Sequence, residues 1–542
     1  MNITLKIISI FLIAGFIINS SLSAGDLSLS VYPSEDELYE AFLLNEIDYS
    51  TYLKLVEIFQ DGVDSTEIFL LKEMPNVEYF LESFIKDHSE YEIEQADALV
   101  SQDLPAKKIT GFLRVNRKQI IKENGTSQGY AFLKTKFGEN WTFSGKISEY
   151  ADGHESVNNR AFTYKSANGK ISKAVIGNYN AEFGLGLLVG YHGRIFSADD
   201  ESIGNTILFP EYGGYNGLYL QGSSHRDEVR LILHYNQNDS LSVRIGAIDL
   251  AQKIGRWRFD FMVLTSALRN RELNTEYRAT YFGGSIRYKT KSFSTAAETM
   301  HSSESKTFLP AGIIETKYKN DNFNIGLTAW HYADDLIDFA TGSRVGTLEK
   351  SIEIDSIDYK YSDNRINQNG ILLKTRAIME NSTAFSFSFQ TYGDQSTKIL
   401  KNIISCEVPL SNYSQLRFDF EGYNKKDGIE DIYENKVRTG FRYKYNNLYY
   451  RGYLGYNDNR TGPDYISFFS RGSFKTVNYG KIEGWLNWAK IDPVNKTLDY
   501  FYGFIKESFD LGSTLEMSAK YSYRYSRSGS ESRIIFEAKV AW

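Results

Sequence analysis

From Lys107 onward, apolar and polar residues alternate with a period of two. Between Thr514 and Ser526, Leu515, Met517, Ala519, Tyr521, Tyr523 and Tyr525 interleave with Glu516, Ser518, Lys520, Ser522 and Arg524 without exception. A helix would scatter these residues around its axis, whereas a strand sorts them onto two faces. The same dyad sets Leu416, Phe418 and Phe420 against Arg417, Asp419 and Glu421, and Val437, Phe441, Tyr443 and Tyr445 against Arg438, Arg442 and Lys444. Asn446-Asn447 follows directly, a suitable two-residue hairpin turn, so consecutive strands are predicted to pair as an antiparallel meander. The last run places Ile534, Phe536, Ala538, Val540 and Trp542 on one face and Ile535, Glu537, Lys539 and Ala541 on the other. A strand apolar on one side, charged on the other and finishing on an aromatic fits the closing strand of a membrane barrel. Its expected partner is the first strand, near Gly111-Phe112-Leu113, with Trp542 as interfacial anchor and as the end recognised for barrel insertion.

These strands predict an all-β membrane protein, a large antiparallel up-and-down barrel. At about 9–11 residues per crossing strand plus connections, the barrel region makes roughly 22–26 strands, with about 24 the central expectation. Residues 424–434, 333–344 and 199–205 are the expected long outer loops. A barrel this wide cannot fill its lumen with wall side chains, so it is either plugged or open.

Before Lys107 the period lengthens. Leu38, Phe42, Leu43 and Ile47 recur at helical spacing behind Pro33-Ser34, and Tyr52, Leu55, Val56 and Phe59 form a second stripe ending at Asp61-Gly62. A third helix is expected from Asp64 or Ser65 through Ile68 and Leu71 to Met74-Pro75-Asn76. Such stripes are core faces of a small bundle. The first residues form an export signal: Lys6, an apolar run from Ile7 to Ile18, then Ser21, Ser23 and Ala24. The run is shorter than the roughly 20 residues a spanning helix needs. The expected organisation is a signal peptide at 1–24, an acidic helical region at 25–105 and the barrel at 106–542.

Charge divides the chain at the same boundary. Residues 26–103 carry 20 Asp or Glu against Lys54, Lys72 and Lys86, a net of −17. Residues 104–542 carry 57 basic and 48 acidic side chains, a net of +9, which the overall −7 conceals. This opposition predicts that the acidic region sits at or in the mouth of the barrel. Mean hydropathy is −0.38, as expected when half of every strand faces water. The 39 Tyr and 35 Phe against 6 Trp favour rings suited to the membrane–water boundary. Cys406 is the only cysteine, so no internal disulfide forms.

The stretch Ile176 to Gly193 departs from the dyad, with glycines at 177, 184, 186, 190 and 193. The spacing does not fit a phosphate-binding loop, and no helical pattern follows. Gly177, Gly184, Gly186 and Gly190 are instead expected to mark a bend in the wall or the contact with a plug. Gly177-Asn178-Tyr179 and Phe183-Gly184-Leu185-Gly186-Leu187, with Glu211-Tyr212 and Tyr215-Asn216-Gly217-Leu218, resemble exported outer-membrane barrel proteins that carry an N-terminal helix-hairpin-helix region. Asn178 and Leu185 depart from that family's pattern. Asp64-Ser65-Thr66, Leu70-Leu71 and Met74-Pro75-Asn76-Val77 resemble its helix-hairpin-helix with a degenerate hairpin. The resemblance spans residues 38–105 and 176–222, and implies an outer-membrane barrel with a periplasmic helical part.

A DNA-binding hairpin needs glycines and a basic surround, and this copy has neither, so nucleic acid is not an expected partner. The seven histidines lack His-Glu-x-x-His spacing, and no Gly-x-Ser-x-Gly occurs. His301-Ser302-Ser303 has the spacing of a lipid-hydrolysing barrel but no locatable acidic partner. No enzymatic activity, cofactor or metal is expected. Arg417, Arg438, Arg442, Lys444, Lys520, Arg524 and Lys539 would line the lumen if the apolar dyads face lipid. They would then focus anions, or pair with Asp419, Glu421, Glu516 and Glu537 to leave a wet wall, the simpler outcome. The expected roles are passage of a solute or polymer, or alternatively docking within an envelope assembly. The expected contacts are outer-membrane lipid and a periplasmic or envelope protein bound through residues 26–105.

Overall fold

In the computed structural model the described residues are 109–542 apart from some connections, the longest being 191–214 and 334–367, together with Leu38, Ala41, Ile47, Tyr52 and Leu55. The strands run β1 (Ile109–Ile121), β2 (Ser127–Phe137), β3 (Trp141–Glu149), β4 (Glu155–Lys165), β5 (Ile171–Tyr179), β6 (Tyr215–Ser223), β7 (Asp227–Gln237) and β8 (Leu241–Ile254). They continue as β9 (Trp257–Asn270), β10 (Thr275–Lys289), β11 (Phe293–Ser302), β12 (Ala311–Lys319), β13 (Phe323–Tyr332), β14 (Asn369–Ile378), β15 (Ala384–Gly393) and β16 (Lys398–Ser411). The last eight are β17 (Ser414–Lys426), β18 (Asp431–Tyr445), β19 (Leu448–Asn459), β20 (Tyr465–Thr476), β21 (Gly480–Ile491), β22 (Tyr500–Leu511), β23 (Leu515–Ser526) and β24 (Gly529–Ala541).

Each strand pairs antiparallel with the next, and β1 pairs with β24, so the 24-stranded sheet closes on itself. The closing register sets Phe112 opposite Ala541 and Leu113 opposite Val540, the junction expected from the terminal dyad. Trp542 exchanges two backbone hydrogen bonds with Gly111, both 3.0 Å. Closure removes both sheet edges, which hydrocarbon could not solvate. Strands about 4.8 Å apart and tilted about 40° give a circumference near 150 Å and a backbone diameter of almost 50 Å, by the relation between strand number, tilt and width.

Directly opposed residues share a face of the sheet, so the register carries each dyad around the wall. The outer face exposes Leu250, Phe261, Ile314, Leu327, Ile371, Leu454, Ile505 and Phe536. Aromatic residues gather at its base, where Trp141 packs on Phe162 and Tyr164, Trp257 on Tyr288, and Tyr413 on Tyr445. Tyr235, Tyr456 and Tyr525 occupy the opposite rim. An apolar band between aromatic girdles is the exterior of a lipid-embedded barrel.

The two rims differ in their connections. On the rim that holds the chain's end at Trp542, connections are short: 255–256, 412–413 and the predicted hairpin 446–447, with Asn446 at φ 48°. The other rim carries residues 180–214 and 333–368. The expected outer loops 333–344 and 199–205 fall in these two long connections and lie outside the described residues, except for Ala333. The third expectation is corrected: Asn424 to Lys426 and Asp431 to Glu434 are paired strand, leaving only 427–430 as connection. Those polar residues alternate between two faces of a wall wet on one side, which a count of polar residues reads as loop.

Of the acidic region, Leu38, Ala41, Tyr52 and Leu55 are helical, and Leu38, Ala41, Ile47 and Leu55 are buried. The signal peptide, the third predicted helix and the helix-hairpin-helix resemblance at Asp64 to Val77 lie outside the described residues.

Candidate functional site: a two-sided lumen

After Tyr179 the chain does not continue along the wall. Residues 180–190 turn into the barrel, and Phe183, Leu185, Leu187, Leu188 and Val189 become fully or almost fully buried. The turn is closed by the Phe183 N–H donating to the Val189 carbonyl at 2.9 Å and the Gly186 N–H to the Phe183 carbonyl at 2.8 Å. Its bed is apolar on the inner face: Ile232, Ile245, Ala247, Met262, Leu264, Tyr281, Met300 and Ile313 belong to one buried cluster with it. Strand β8 is therefore apolar on both sides, with Val243, Ile245 and Ala247 inward and Ile248 and Leu250 toward lipid. A strand covered on both faces loses its alternation.

Three wall side chains bolt the segment down. The Glu298 carboxylate, 1% exposed, accepts backbone N–H groups from Leu185, from Leu187 at 3.2 Å and from Leu188 at 3.1 Å. Arg230 donates to the Glu182 carbonyl at 2.8 Å and lies over the Phe183 ring at 4.6 Å. Arg287 donates to the Gly184 carbonyl at 3.0 Å. A buried carboxylate holding three amides satisfies its charge and their hydrogen-bonding need together, each bond contributing about 1.5–3 kcal/mol.

Gly184 shows why this sequence is needed. Its φ is 56°, and a Cβ there would stand 2.6 Å from a Glu298 carboxylate oxygen. Gly186 and Gly190 belong to the same turn, and Gly177 lies in β5 against the backbone of Arg160. Below the segment, Arg230 pairs with Asp249 at 2.6 Å, Arg258 with Asp260 at 2.9 Å and with Glu228 at 3.2 Å. Ser285 donates to Asp260 at 2.6 Å. The segment thus rests on an apolar bed above an ionic floor.

The rest of the wall is different. The seven sequence-predicted basic residues all occupy inward positions of β17, β18, β23 and β24. Arg417 bridges Asp419 at 2.9 Å and Glu407 at 3.4 Å, Arg438 approaches Asp419 at 3.8 Å, and Lys539 reaches Glu516 at 3.9 Å. Glu421 takes Lys401 at 2.9 Å, and Glu537 accepts from Tyr130 and Asn116. The Lys520 ammonium sits 3.9 Å from the centre of the Phe504 ring, a cation–π contact. Arg524 stands opposite Tyr502 and Glu531. Arg442 is opposite Arg451, and Arg451 opposite Arg471, so three guanidinium groups share one row across β18–β20. Arg471 also bonds Glu483 at 2.6 Å.

Sequence reading missed Glu298, Arg230 and Arg287, which hold the segment. The available signal was a lone carboxylate between Ala296 and Met300 on an otherwise apolar dyad. His301 and Ser302 occupy opposite faces of β11, His301 toward lipid and Ser302 fully buried.

No protein-family model matches the chain, and no curated protein matches it in sequence. Among solved structures it resembles the siderophore receptor PirA from Pseudomonas aeruginosa, at 8% identity over 81% of each chain and a TM-score of 0.44. It resembles an E. coli P pilus tip assembly intermediate containing PapC at 9% identity, covering 81% of this chain and 62% of that one, with a TM-score of 0.48. The outer membrane protein OprD from Pseudomonas aeruginosa aligns at 10% identity over 58% of this chain and 93% of that one, with a TM-score of 0.31. At these identities the likeness is one of fold, and it is to outer-membrane β-barrel proteins.

Proposed function

We propose that the protein is a passage across the outer membrane for a solute or polymer, its lumen narrowed by the docked segment 180–190 and served by residues 26–105 on the periplasmic side. The observation that carries this reading is the two-sided lumen: one half of the wall is built as a bed for the segment, the other is lined with charge. A purely structural barrel has no need of that division. The short-turn rim is assigned to the periplasm and the rim bearing 180–214 and 333–368 to the exterior, the usual disposition in such barrels. The reading includes no catalytic step, cofactor or nucleic acid.

Planar-bilayer recording of the purified protein, with and without residues 26–105, tests it. Discrete conductance in at least one form is expected, and silence in both counts against passage. The second reading is a docking component of an envelope assembly, supported by the high acidity of residues 26–103. Crosslinking pull-down from cells should then recover one dominant partner through residues 26–105, and an empty pull-down removes that reading.

A further inference from the structure

On the outer face of β8, β9 and β10, toward the rim that bears the long connections, the register brings three arginines together. Arg244 and Arg278 stand in one row with Ala267 between them, and Tyr235 flanks Arg244 in the same row. Arg269 stands two residues beyond Ala267, opposite Ser242 and Glu276. All three arginines are exposed, Arg278 over 77% of its side chain. Arg244 and Arg278 start from backbones about 10 Å apart, two strand spacings, so their long side chains and that of Arg269 can converge above the small Ala267. Each has a neighbour in the wall: Arg278 pairs with Glu276 at 3.0 Å, Arg269 donates to Asn274 at 3.0 Å, and Arg244 lies over the Tyr235 ring at 5.8 Å. All three act electrostatically on Glu276. One carboxylate among three guanidinium groups leaves the cluster cationic, and Arg271 and Glu272 in the adjoining turn cancel each other in charge.

The height of the cluster is that of lipid headgroups. Trp257, in the aromatic girdle of the opposite rim, opens β9, and Ala267 lies near its other end. By the rise and tilt of a membrane strand the two are separated by about 26 Å along the barrel axis, close to the roughly 25 Å height of the apolar band. Tyr235, in the nearer girdle, marks the same boundary beside Arg244. Below the arginines the next row on this face is Gly246, Thr265 and Thr280, and the row after it is Ile248, Val263 and Phe282. From rim to midplane the surface therefore runs from cation through hydroxyl to hydrocarbon, the polarity order of a lipid's phosphate, its polar linkages and its acyl chains. Guanidinium forks match phosphate oxygens in bidentate geometry, which gives arginines at this height a natural counter-charge. We propose that Arg244, Arg269 and Arg278 form a binding site for a phosphate-bearing lipid headgroup at the rim assigned to the exterior, the acyl chains running down over Thr280 and Phe282. The proposal concerns the outer face alone and stands or falls apart from passage through the lumen.

Native mass spectrometry of the full-length, detergent-solubilised protein tests this by counting bound lipids as phosphatidic acid is titrated in. Phosphatidylcholine, whose phosphate carries a choline, is the comparison. The wild-type protein should hold one phosphatidic acid at least about tenfold more tightly than phosphatidylcholine, from the combined increments of three cations beside a lipid surface. The combined variant Arg244→Gln, Arg269→Gln, Arg278→Gln should lose that preference. Arg117→Gln, on the outer face of β1 beside Glu149, should leave it unchanged. If the combined variant gives no closed form on heat-shift electrophoresis, Arg278→Gln alone should weaken phosphatidic acid binding about fivefold, one cation's increment. Equal affinity for the two lipids in the wild-type protein, or a preference that survives removal of the arginines, overturns the proposal. Displacement of the bound lipid by an equal concentration of inorganic phosphate would mark a site for free anions and overturns it as well.

Discussion

At the scale of single residues, the fate of the docked segment rests on Glu298. Removing its carboxylate leaves three buried N–H groups without an acceptor, at about 1–3 kcal/mol each. Glu298→Ala should therefore release residues 180–190 from the wall while the barrel remains closed. Limited proteolysis within that segment is expected to accelerate at least about tenfold, since each 1.4 kcal/mol is a factor of ten, and an unchanged rate would contradict its role as the bolt. Glu298→Gln, which keeps one acceptor, should fall between. Ile505 tests the other face: it is 64% exposed at the middle of β22. Ile505→Arg should cost about 2–4 kcal/mol of folding stability in lipid, the range for a cation near the bilayer midplane. Urea titration in vesicles measures this, and a loss below about 0.5 kcal/mol would mean that β22 does not face lipid.

At the scale of elements, the seam between β1 and β24 governs whether the sheet is a cylinder or a ribbon. A Cβ on Gly111 would stand 2.4 Å from the Lys134 carbonyl oxygen and 3.1 Å from the Trp542 ring. Gly111→Val should therefore strain the β1–β2 ladder at Lys134 and, next to it, the seam at Trp542. The closed form should shrink on heat-shift electrophoresis, whereas Gly484→Val in β21, where a Cβ would meet only the Phe504 carbonyl oxygen at 4.0 Å, should leave closure intact. The strands themselves were legible in the chain. The dyads at 416–422, 437–445 and 514–526 reappear as β17, β18 and β23, because a wall between lipid and water forces strict alternation. Alternation fails in β8, where the bed under residues 180–190 makes both faces apolar, and no local pattern says which face meets lipid.

At the scale of the whole molecule, the lumen is divided between an apolar bed and a charged wall. If anions pass along the charged side, neutralising the row Arg442, Arg451 and Arg471 should reduce anion preference several-fold. The reversal potential in a potassium chloride gradient reads this, and an unchanged value would place the ion path elsewhere. The seven basic residues expected in the lumen are all on its wall, and several are held by carboxylates. The pairings expected from the chain are partly met: Asp419 and Glu516 take predicted cations, but Glu421 takes Lys401, and Glu407 shares Arg417.

What the chain determined unaided is the class of object. A period of two with one apolar face, repeated strand after strand, predicts a wide antiparallel sheet with one apolar and one wet side, and the length bounds its strand number. What only the tertiary structure decided is the interior. Glu298 meets Leu185, Leu187 and Leu188 across more than a hundred residues of chain, and Arg442, Arg451 and Arg471 come into line through register alone. Such contacts depend on which strands stand side by side and how far a segment folds inward, and neither is written in local periodicity.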